Sequence, residues 1–316
     1  MTDMKRVRVI KDGGNGQNIS KARLVTTSPI DPRQGDTTKA SEPAGGEPRT
    51  GVEDPSPKAL GPVHFDSSRI GKREIEERYS RQSLFKGWNQ KDLMKSRALI
   101  IGAGGFGTVA LMLGRSGIGH LIICDADKVS LSNLNRQEFR KEDIGKNKAI
   151  ALGEKIHQEI GTCSVDCYPV DFQELIAECP DLSSSIDIVL VLVDNDISRF
   201  DAARYCRENK LPAIFASVSK DGVGGIVFFQ DAVAPPCWAC AMKIGRKNPS
   251  NERNVCGASP SAVYLHHVFG GQTVYIALLY LMGMKIPWRM RWEWINEEAR
   301  VSNPPMDTEC PICNKR

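Results

Sequence analysis

Charged side chains that suit nucleotide chemistry follow two apolar segments of the sequence. Asp125 comes directly after the segment Leu121 to Cys124, and Asp194 comes directly after Ile188 to Val193. Cationic and amide side chains that could accompany them are Arg81, Asn133, Arg136, Lys148 and Asn195. Cations neutralise phosphate charge and carboxylates hold Mg²⁺, so the set as a whole is typical of phosphoryl or nucleotidyl transfer. Any one of these residues alone could equally form a surface ion pair.

A glycine-rich turn is the element that would position these side chains. Between residues 97 and 127 the sequence predicts a buried strand, a turn, a helix and a second buried strand. The glycines of the turn are Gly102, Gly104, Gly105 and Gly107. Such a turn lets the backbone approach a phosphate, and the helix after it offers unpaired N–H groups. The pattern predicts a dinucleotide-binding βαβ unit with Asp125 at the ribose position, and a tight turn without a ligand is the alternative.

Two Cys-x-x-Cys pairs form a second candidate site. They are Cys237 with Cys240 and Cys310 with Cys313. Four thiolates in two such pairs are typical of a closed tetrahedral zinc site with a structural role. A redox-active dithiol is the alternative. Prolines lie beside both pairs and favour the rigid turns of a zinc site.

Cys256 is the candidate nucleophile. It lies in a polar loop before an apolar helix, with Arg253 three residues before it and Pro260 after it. A nearby cation and the start of a helix both favour the thiolate. The alternative is an inert small apolar side chain, which is the commoner role of a lone cysteine. The remaining cysteines lie in predicted strands or helices and are interpreted as structural: Cys124, Cys163, Cys167, Cys179 and Cys206.

Composition narrows the class of protein. The chain has 316 residues, a net charge of +4 and ten cysteines. This balanced charge gives no electrostatic case for binding nucleic acid or an anionic membrane. No apolar leader follows Met1, so we predict a cytoplasmic, reducing location in which paired cysteines hold metal. Histidines and glycines interrupt the apolar segment Ala262 to Met284, which favours a buried or interface helix over a membrane span.

The sequence divides at about residue 70. Residues 1–70 are rich in proline, glycine, serine and threonine and predict a disordered tail, although residues 7–10 alternate like a strand. Residues 71–316 predict one domain in which strands and helices alternate. That alternation is typical of a doubly wound α/β fold with a Rossmann-like, mostly parallel sheet. Residues 288–294 alternate with period two and predict a half-buried strand near the C-terminus.

From about residue 75 onward the chain resembles the ThiF/MoeB/ubiquitin-activating superfamily. The motifs that carry the resemblance are R-Y-S-R-Q at 78–82, G-A-G-G-F-G at 102–107, D-A-D-K-V-S-L-S-N-L-N-R-Q at 125–137, G-K-N-K-A at 145–149, V-D-N at 193–195 and the two Cys-x-x-Cys pairs. Members adenylate the C-terminal glycine of a ubiquitin-fold protein with ATP and Mg²⁺. Their paired cysteines clip the C-terminal tail to the core through zinc.

The resemblance implies a role for each matching residue. Asp125 would bind the ribose of ATP, and Asp194, beside Asn195, would hold the magnesium ion. Residues of the same motifs that would contact the phosphates or line the nucleotide site are Asp127, Ser132, Asn133, Arg136 and Lys148. Arg81 would reach into the site from the other subunit of a homodimer. Cys256 lies where some single-domain activating enzymes keep their acceptor cysteine.

The sequence therefore predicts a homodimeric, zinc-containing ATP-dependent activating enzyme for a ubiquitin-like or sulfur-carrier protein. The acyl group would pass to Cys256 as a thioester or acyl-persulfide. No rhodanese or ubiquitin-fold domain is expected after Cys313, which leaves open how a sulfurtransferase or conjugating enzyme would be recruited. The alternatives are a MoeB-like adenylyltransferase without a catalytic cysteine, an NAD-dependent oxidoreductase and a pseudoenzyme scaffold.

Overall fold

The computed structural model describes residues 62–67, 71–219, 222–243, 261–294 and 300–314. All of them belong to the second of the two units into which the chain divides, Pro55–Arg316. The predicted tail strand at residues 7–10 and the candidate nucleophile Cys256 lie outside the described residues, so both remain predictions.

One sheet of nine strands runs through the described part of the chain. The strands are β1 Val63–Phe65, β2 Arg97–Ile101, β3 His120–Cys124, β4 Ser164–Tyr168, β5 Ile188–Val191, β6 Ala213–Val218, β7 Gly224–Gln230, β8 Met290–Trp294 and β9 Arg300–Ser302. Their order across the sheet is β1-β4-β3-β2-β5-β6-β7-β8-β9. The central strands β4, β3, β2, β5 and β6 are parallel, and the outer strands pair antiparallel. This parallel centre confirms the Rossmann-like arrangement.

Helices cover both faces of the sheet, which confirms a doubly wound α/β fold. They are α1 Lys72–Arg78, α2 Gln90–Leu93, α3 Gly107–Ser116, α4 Lys148–Glu159, α5 Phe172–Glu178, α6 Asp196–Glu208, α7 Trp238–Met242 and α8 Val263–Leu281. On one face α3, α4 and α8 share a core with Ala98 and Ile100, and on the other α5, α6 and α7 share a core with Leu99 and Ile101. Because side chains alternate between the faces of a strand, the apolar segment of β2 supplies both cores.

The direction of the connections reverses beside β2. This strand pairs with β3 on one side and with β5 on the other, and Ile101 lies opposite both Cys124 and Val191. The carboxyl ends of the three strands therefore meet at one edge. In open α/β sheets this reversal point opens the crevice that binds ligands.

The apolar helix predicted near the C-terminus is buried along one side, whereas Val263, Tyr264, Val268 and Tyr275 are exposed. It is α8, which packs on α3, β6 and β7 with Leu265, Phe269 and Ile276 in the core. Among the described helices, none combines the length and the apolar character that crossing a membrane requires.

One described strand, β1, falls within residues 1–70, the segment that the sequence predicted as a tail. It pairs with the edge of β4, where His64 bonds Asp166. Three residues are too few to show a strand pattern, and the strand that β1 pairs with lies about a hundred residues later in the sequence. The sequence around β1 therefore does not predict this strand. α1 begins at Lys72 after Gly71.

Candidate active site

The glycine turn between β2 and α3 is held tightly at its first residue. Gly102 has a φ of +98°, a conformation that favours glycine, and an added Cβ would lie 3.0 Å from the carbonyl oxygen of Leu192. The N–H of Gly102 donates to the carbonyl oxygen of Cys124 at 2.9 Å, which ties the turn to β3. Because α3 begins at Gly107, the turn and the N–H groups of the first helical turn meet at the ligand edge.

The next two glycines differ in what surrounds them. At Gly104 an added Cβ would find no atom closer than Nε2 of Gln137, at 3.8 Å. Oε1 of Gln137 is buried and has no hydrogen-bond partner among the described residues. At Gly105 an added Cβ would collide with the imidazole of His266. Gly104 thus leaves room for a ligand, whereas Gly105 leaves room for a side chain of the protein itself.

His266 is buried on α8 and covers the glycine turn. Its ring packs edge to face on Phe106, with the ring centroids 4.9 Å apart. Nδ1 of His266 donates to the carbonyl oxygen of Ala262 at 3.1 Å. Burial lowers the pKa of His266, and the charge of Arg136 lowers it further. The imidazole is therefore neutral near pH 7, as suits a ring that packs against Phe106 and the glycine turn.

Asp125 joins the glycine turn to the loop after β3. Its Oδ2 accepts from the N–H of Ala103 at 2.7 Å, and its Oδ1 accepts from the N–H of Asp127 at 2.8 Å. Burial raises the pKa of Asp125, while the charge of Lys148 and the two N–H groups oppose that rise. Each carboxylate oxygen keeps a second lone pair, so Asp125 can hold the turn and still accept a hydroxyl.

Lys148 is a buried cation at the first position of α4. Its Nζ lies 2.7 Å from Oδ2 of Asp127, whose side chain is 72% exposed. Asn147 caps the helix through the N–H of Ile150, and its Nδ2 donates to the carbonyl oxygen of Asp125 at 2.6 Å. Burial fixes the ammonium group of Lys148 beside the glycine turn instead of leaving it mobile in water.

A 3-10 turn at Leu131–Asn133 carries the next predicted nucleotide-binding residues. Oδ1 of Asn133 accepts from the N–H of Ser130 at 2.9 Å, and the side chain is buried. Nη1 of Arg136 donates to the carbonyl oxygen of Ser132 at 2.6 Å. Asn133 therefore shapes the loop, whereas the guanidinium of Arg136 has donors left for an anion.

The predicted magnesium-binding carboxylate lies in the turn between β5 and α6. Asp194 is exposed there, and Oδ1 of Asn195 caps α6 by accepting from the N–H of Ser198 at 2.8 Å. Since β5 is the parallel neighbour of β2, this turn lies beside Gly102. Asn195 thus has a capping role that its position in the V-D-N motif did not reveal.

Arg81 lies away from the glycine turn of its own chain. The segment around it packs on the carboxyl end of α3, where Nε2 of Gln82 donates to the carbonyl oxygen of Ser116 at 2.7 Å. Helix α3 has 10 residues. It is therefore about 15 Å long, which is farther than an arginine side chain reaches. Arg81 is exposed, as are Leu84 and Phe85 after it. The structure does not bring Arg81 into its own subunit's site.

The two Cys-x-x-Cys pairs meet in one cluster. Their four Sγ atoms all lie within 4.8 Å of one another. Sγ of Cys237 is 3.8 Å from that of Cys240 and 3.5 Å from that of Cys310. A tetrahedral zinc ion with Zn–S bonds of about 2.3 Å needs sulfur atoms roughly 3.8 Å apart. The donor set therefore fits a zinc ion that would join the C-terminal segment to the start of α7.

Freshly purified protein is expected to contain one zinc ion per chain, measured by elemental analysis. Cys310→Ser should lose the metal and expose the segment after β9 to proteolysis, because the cluster is one of the contacts that anchor that segment. The loss of a buried metal ligand should cost about 3 kcal/mol or more. Cys179→Ser is the matched control and should keep the zinc. Metal-free wild-type protein with a titratable dithiol would instead support the redox alternative.

The other described cysteines do not have the character of nucleophiles. Burial raises the pKa of Cys163 and of Cys167 to about 12 and also raises the pKa values of Cys124 and Cys206. Their thiols therefore stay protonated at neutral pH, as the structural interpretation requires. Cys179 is half-buried.

Sequence reasoning missed three residues that shape this site: Gln137, Asn147 and Arg199. Asn147 had a usable signal, since an asparagine directly before a predicted helix is a typical cap. Arg199, which donates to the carbonyl oxygen of Val193, had none, because its other contacts include Ser217 and Trp238, which lie on separate elements.

The sequence model of the ThiF family matches residues 79–311. The chain is 30% identical over 210 residues to ubiquitin-like modifier-activating enzyme 5 of Bombyx mori, covering 61% of this chain and 53% of that protein. It is 32% identical over 246 residues to the enzyme of the same name from Drosophila mojavensis, covering 68% of this chain and 61% of that protein. The chain spans about half the length of such relatives.

Solved structures show the same fold. MccB of E. coli with ATP has a TM-score of 0.64 and 22% identity, covering 78% of this chain and 76% of that chain. PaaA has a TM-score of 0.61 and 22% identity, covering 75% of this chain and 76% of that chain. At this identity the likeness concerns the fold alone.

Proposed function

Because the chain belongs to the ThiF family, we propose that it adenylates the C-terminal glycine of a ubiquitin-like or sulfur-carrier protein. ATP would be the co-substrate and Mg²⁺ its counter-ion. The observation that carries this proposal is the meeting of three groups at the carboxyl ends of β2, β3 and β5. These groups are the open glycine turn at Gly104, the buried cation Lys148 and the exposed carboxylate Asp194.

In the adenylation step, no side chain of the protein forms a covalent bond with a substrate. The carboxylate of the carrier attacks the α-phosphorus, and pyrophosphate leaves. Lys148, Arg136 and the N–H groups at the start of α3 would offset the charge that develops on the phosphoryl oxygens. Asp194 would hold Mg²⁺, which supplies further charge compensation when bound. Asp125 would orient the ribose through the lone pairs that its backbone bonds leave unused.

The carrier is proposed from the relatives. Several of these are named ubiquitin-like modifier-activating enzyme 5, which supports a ubiquitin-like protein as the substrate. A sulfur carrier shares the same C-terminal glycine chemistry and is the second candidate.

All nine cysteines in the described ranges are free thiols. Free thiols fit the cytoplasmic location that we propose.

The proposal is tested by carrier-dependent exchange of radiolabelled pyrophosphate into ATP. Exchange should require both Mg²⁺ and a small protein that ends in glycine, and it should stop when that glycine is deleted. ATP with Mg²⁺ should also raise the melting temperature of the protein. Stabilisation by NAD without exchange would support the oxidoreductase alternative, and zinc-loaded dimers without ATP turnover would support the scaffold.

We propose that Arg81 completes the site of a partner subunit in a homodimer. Arg81 lies about one length of α3 away from the glycine turn of its own chain, which is too far for its side chain to span. If Arg81 acts in a nucleotide site, that site therefore belongs to another chain. Leu84 and Phe85 are 79% and 68% exposed beside it and would be covered by the same contact.

Mixing Arg81→Ala protein with Asp194→Ala protein should restore exchange. Each mixed dimer would contain one site with an intact Asp194 and an intact Arg81 from its neighbour. At equal amounts and full subunit exchange, about a quarter of the wild-type sites should recover. Mixing each variant with itself is the control. No recovery after confirmed subunit exchange would mean that Arg81 does not act across a dimer.

Cys256 is proposed as the acceptor of the acyl group, as a thioester, or as an acyl-persulfide where a sulfurtransferase has first delivered a sulfane sulfur atom to the Cys256 thiol. Adenylation itself needs no cysteine, because the carrier's carboxylate is the nucleophile. A thiolate is needed only to displace AMP and hold the carrier for a conjugating enzyme or sulfurtransferase. The deep burial of Cys124, Cys163, Cys167 and Cys206 leaves those thiols unsuited to this task and supports Cys256.

The variant Cys256→Ala should keep pyrophosphate exchange within about twofold of wild type and lose the thiol-sensitive adduct with the carrier. The adduct is detected by non-reducing electrophoresis with and without a reducing agent. Cys179→Ala is the control and should retain the adduct. A wild-type enzyme that exchanges pyrophosphate but never forms an adduct would favour the MoeB-like alternative.

A further inference from the structure

The turn that carries Asp194 is clamped from both sides. Asn195 fixes its far end by capping α6. At its near end, Nη2 of Arg199 donates to the carbonyl oxygen of Val193 at 2.6 Å. The positive charge of Arg199 also acts on Asp194 itself. The carboxylate of Asp194 is thus exposed, but the backbone before it is held by Arg199 of α6 and the residue after it is held as the cap of that helix.

Arg199 is an unusual side chain to find in this place. It is only 7% exposed. Nη1 donates to Oδ1 of Asp196 and Nη2 donates to Oγ of Ser217, both at 3.0 Å, while Nε has no partner within the described residues. Burying a cation costs several kcal/mol, and incomplete pairing recovers only part of that cost. A contribution to stability therefore does not explain well why an arginine is buried here. Its hydrogen bond to the turn before Asp194 gives a direct reason, because it orients that turn.

On the side away from Val193, Arg199 packs against α7, the helix that contains Cys240 of the cysteine cluster. Its guanidinium carbon lies 5.9 Å from the centroid of Trp238, the residue directly after Cys237. The Trp238 ring stacks on Phe215 at a centroid distance of 4.9 Å, and its backbone N–H donates to Oε1 of Gln230 at 3.0 Å. The position of Trp238 is therefore fixed by the cysteine cluster, by β6 and by β7.

We infer that Arg199 is a positioning residue which couples the cysteine cluster to the Asp194 turn. The path runs from the cluster through Trp238 to Arg199, and from Arg199 to the carbonyl oxygen of Val193. A zinc ion in the cluster would hold α7 in place and so keep the turn in the geometry that binds magnesium and nucleotide. The expected change in magnesium dependence rests on the proposed function. The expected loosening of the Asp194 turn rests only on the contacts of Arg199 and Trp238.

Two readouts test the coupling. The first is the Mg²⁺ concentration at half-maximal pyrophosphate exchange, which Arg199→Met should raise on the order of tenfold with a smaller effect on the maximal rate. Arg199→Lys keeps the charge and part of the bonding and should lie between that variant and wild type. The second is hydrogen exchange of the backbone amides at residues 192–198, which Arg199→Met should accelerate.

The zinc arm uses the same readouts. Removing zinc with a chelator should raise the magnesium midpoint and accelerate hydrogen exchange at residues 192–198, as Arg199→Met does. In the Arg199→Met protein, removing zinc should change neither quantity further, because both changes interrupt the same chain of contacts. Trp238→Leu with zinc retained should have the same effect and covers the case in which the stripped protein unfolds. Arg204→Met is the matched control, since Arg204 lies on the same helix and pairs only with Asp201 among the ion pairs described.

An unchanged magnesium midpoint in Arg199→Met would overturn the positioning role. Additive effects of zinc removal and Arg199→Met, or unchanged hydrogen exchange at residues 192–198 after zinc removal and in Trp238→Leu, would overturn the coupling. Absence of carrier-dependent exchange in the wild type would count against the proposed function only. The hydrogen-exchange arm would then decide the coupling by itself.

Discussion

Replacing Asp194 by alanine is expected to lower carrier-dependent pyrophosphate exchange by about 10²- to 10³-fold, the size of effect seen when one charge-stabilising group is removed from a transition state. The protein should stay folded. Asp194 is exposed and makes no hydrogen bond in the described part of the chain, so its side chain contributes little to stability. The effect should appear mainly in the magnesium dependence and the maximal rate.

Glu178→Ala is the matched control for this variant. Glu178 is an exposed carboxylate at the carboxyl end of α5, so the change removes the same charge on the side of the sheet away from the ligand edge. The control should exchange pyrophosphate at the wild-type rate, and both variants should melt within a few degrees of wild type. Undiminished exchange in Asp194→Ala would remove Asp194 from the mechanism.

Two neighbouring glycines are expected to give opposite results. Gly105→Ala should lower the free energy of unfolding by about 1–3 kcal/mol, because its Cβ would meet the imidazole of His266 in a packed site. That imidazole is held by Phe106 and by the carbonyl oxygen of Ala262, so it has little freedom to move away. Chemical denaturation measures the loss. The double variant Gly105→Ala with His266→Ala should be more stable than the sum of the single changes predicts.

Gly104→Ala is the other half of this test. Its Cβ would meet nothing closer than 3.8 Å, so the free energy of unfolding should stay within about 0.5 kcal/mol of wild type. Binding of ATP, measured by calorimetry, should nevertheless fall by about tenfold or more if a phosphate approaches the backbone there. Equal effects of the two substitutions on both stability and ATP binding would contradict the division of roles between these glycines.

Protonation of His266 should also affect the turn. Burial lowers the pKa of this imidazole, so its folded-state pKa lies below the value in the unfolded chain. The contribution of the neutral ring to stability is therefore present at neutral pH and is lost as the pH falls through the unfolded and then the folded pKa. His266→Phe retains a ring without this titration and should reduce the acid-induced loss of stability.

The alternation of elements could be predicted from the sequence because the signals are local. The apolar segments of β2, β3 and β5 are continuous, since both faces of a parallel strand are buried. The glycine turn and the two cysteine pairs are also short motifs whose chemistry depends on spacing alone. The fold class could therefore be predicted without coordinates, and so could the candidate ligand edge and the four candidate metal donors.

Only the tertiary structure decided which of these residues have partners within the protein itself. Gly105 makes room for His266 from α8, Asp125 ties the glycine turn to β3, and Arg199 links the Asp194 turn to Trp238. β1 forms on an edge that β4 supplies about a hundred residues later. Each of these contacts joins separate elements, and period and spacing along the chain carry no information about which faces meet. Such contacts are fixed by the packing of the whole domain, because a buried polar or charged group is stable only where a partner is already in place.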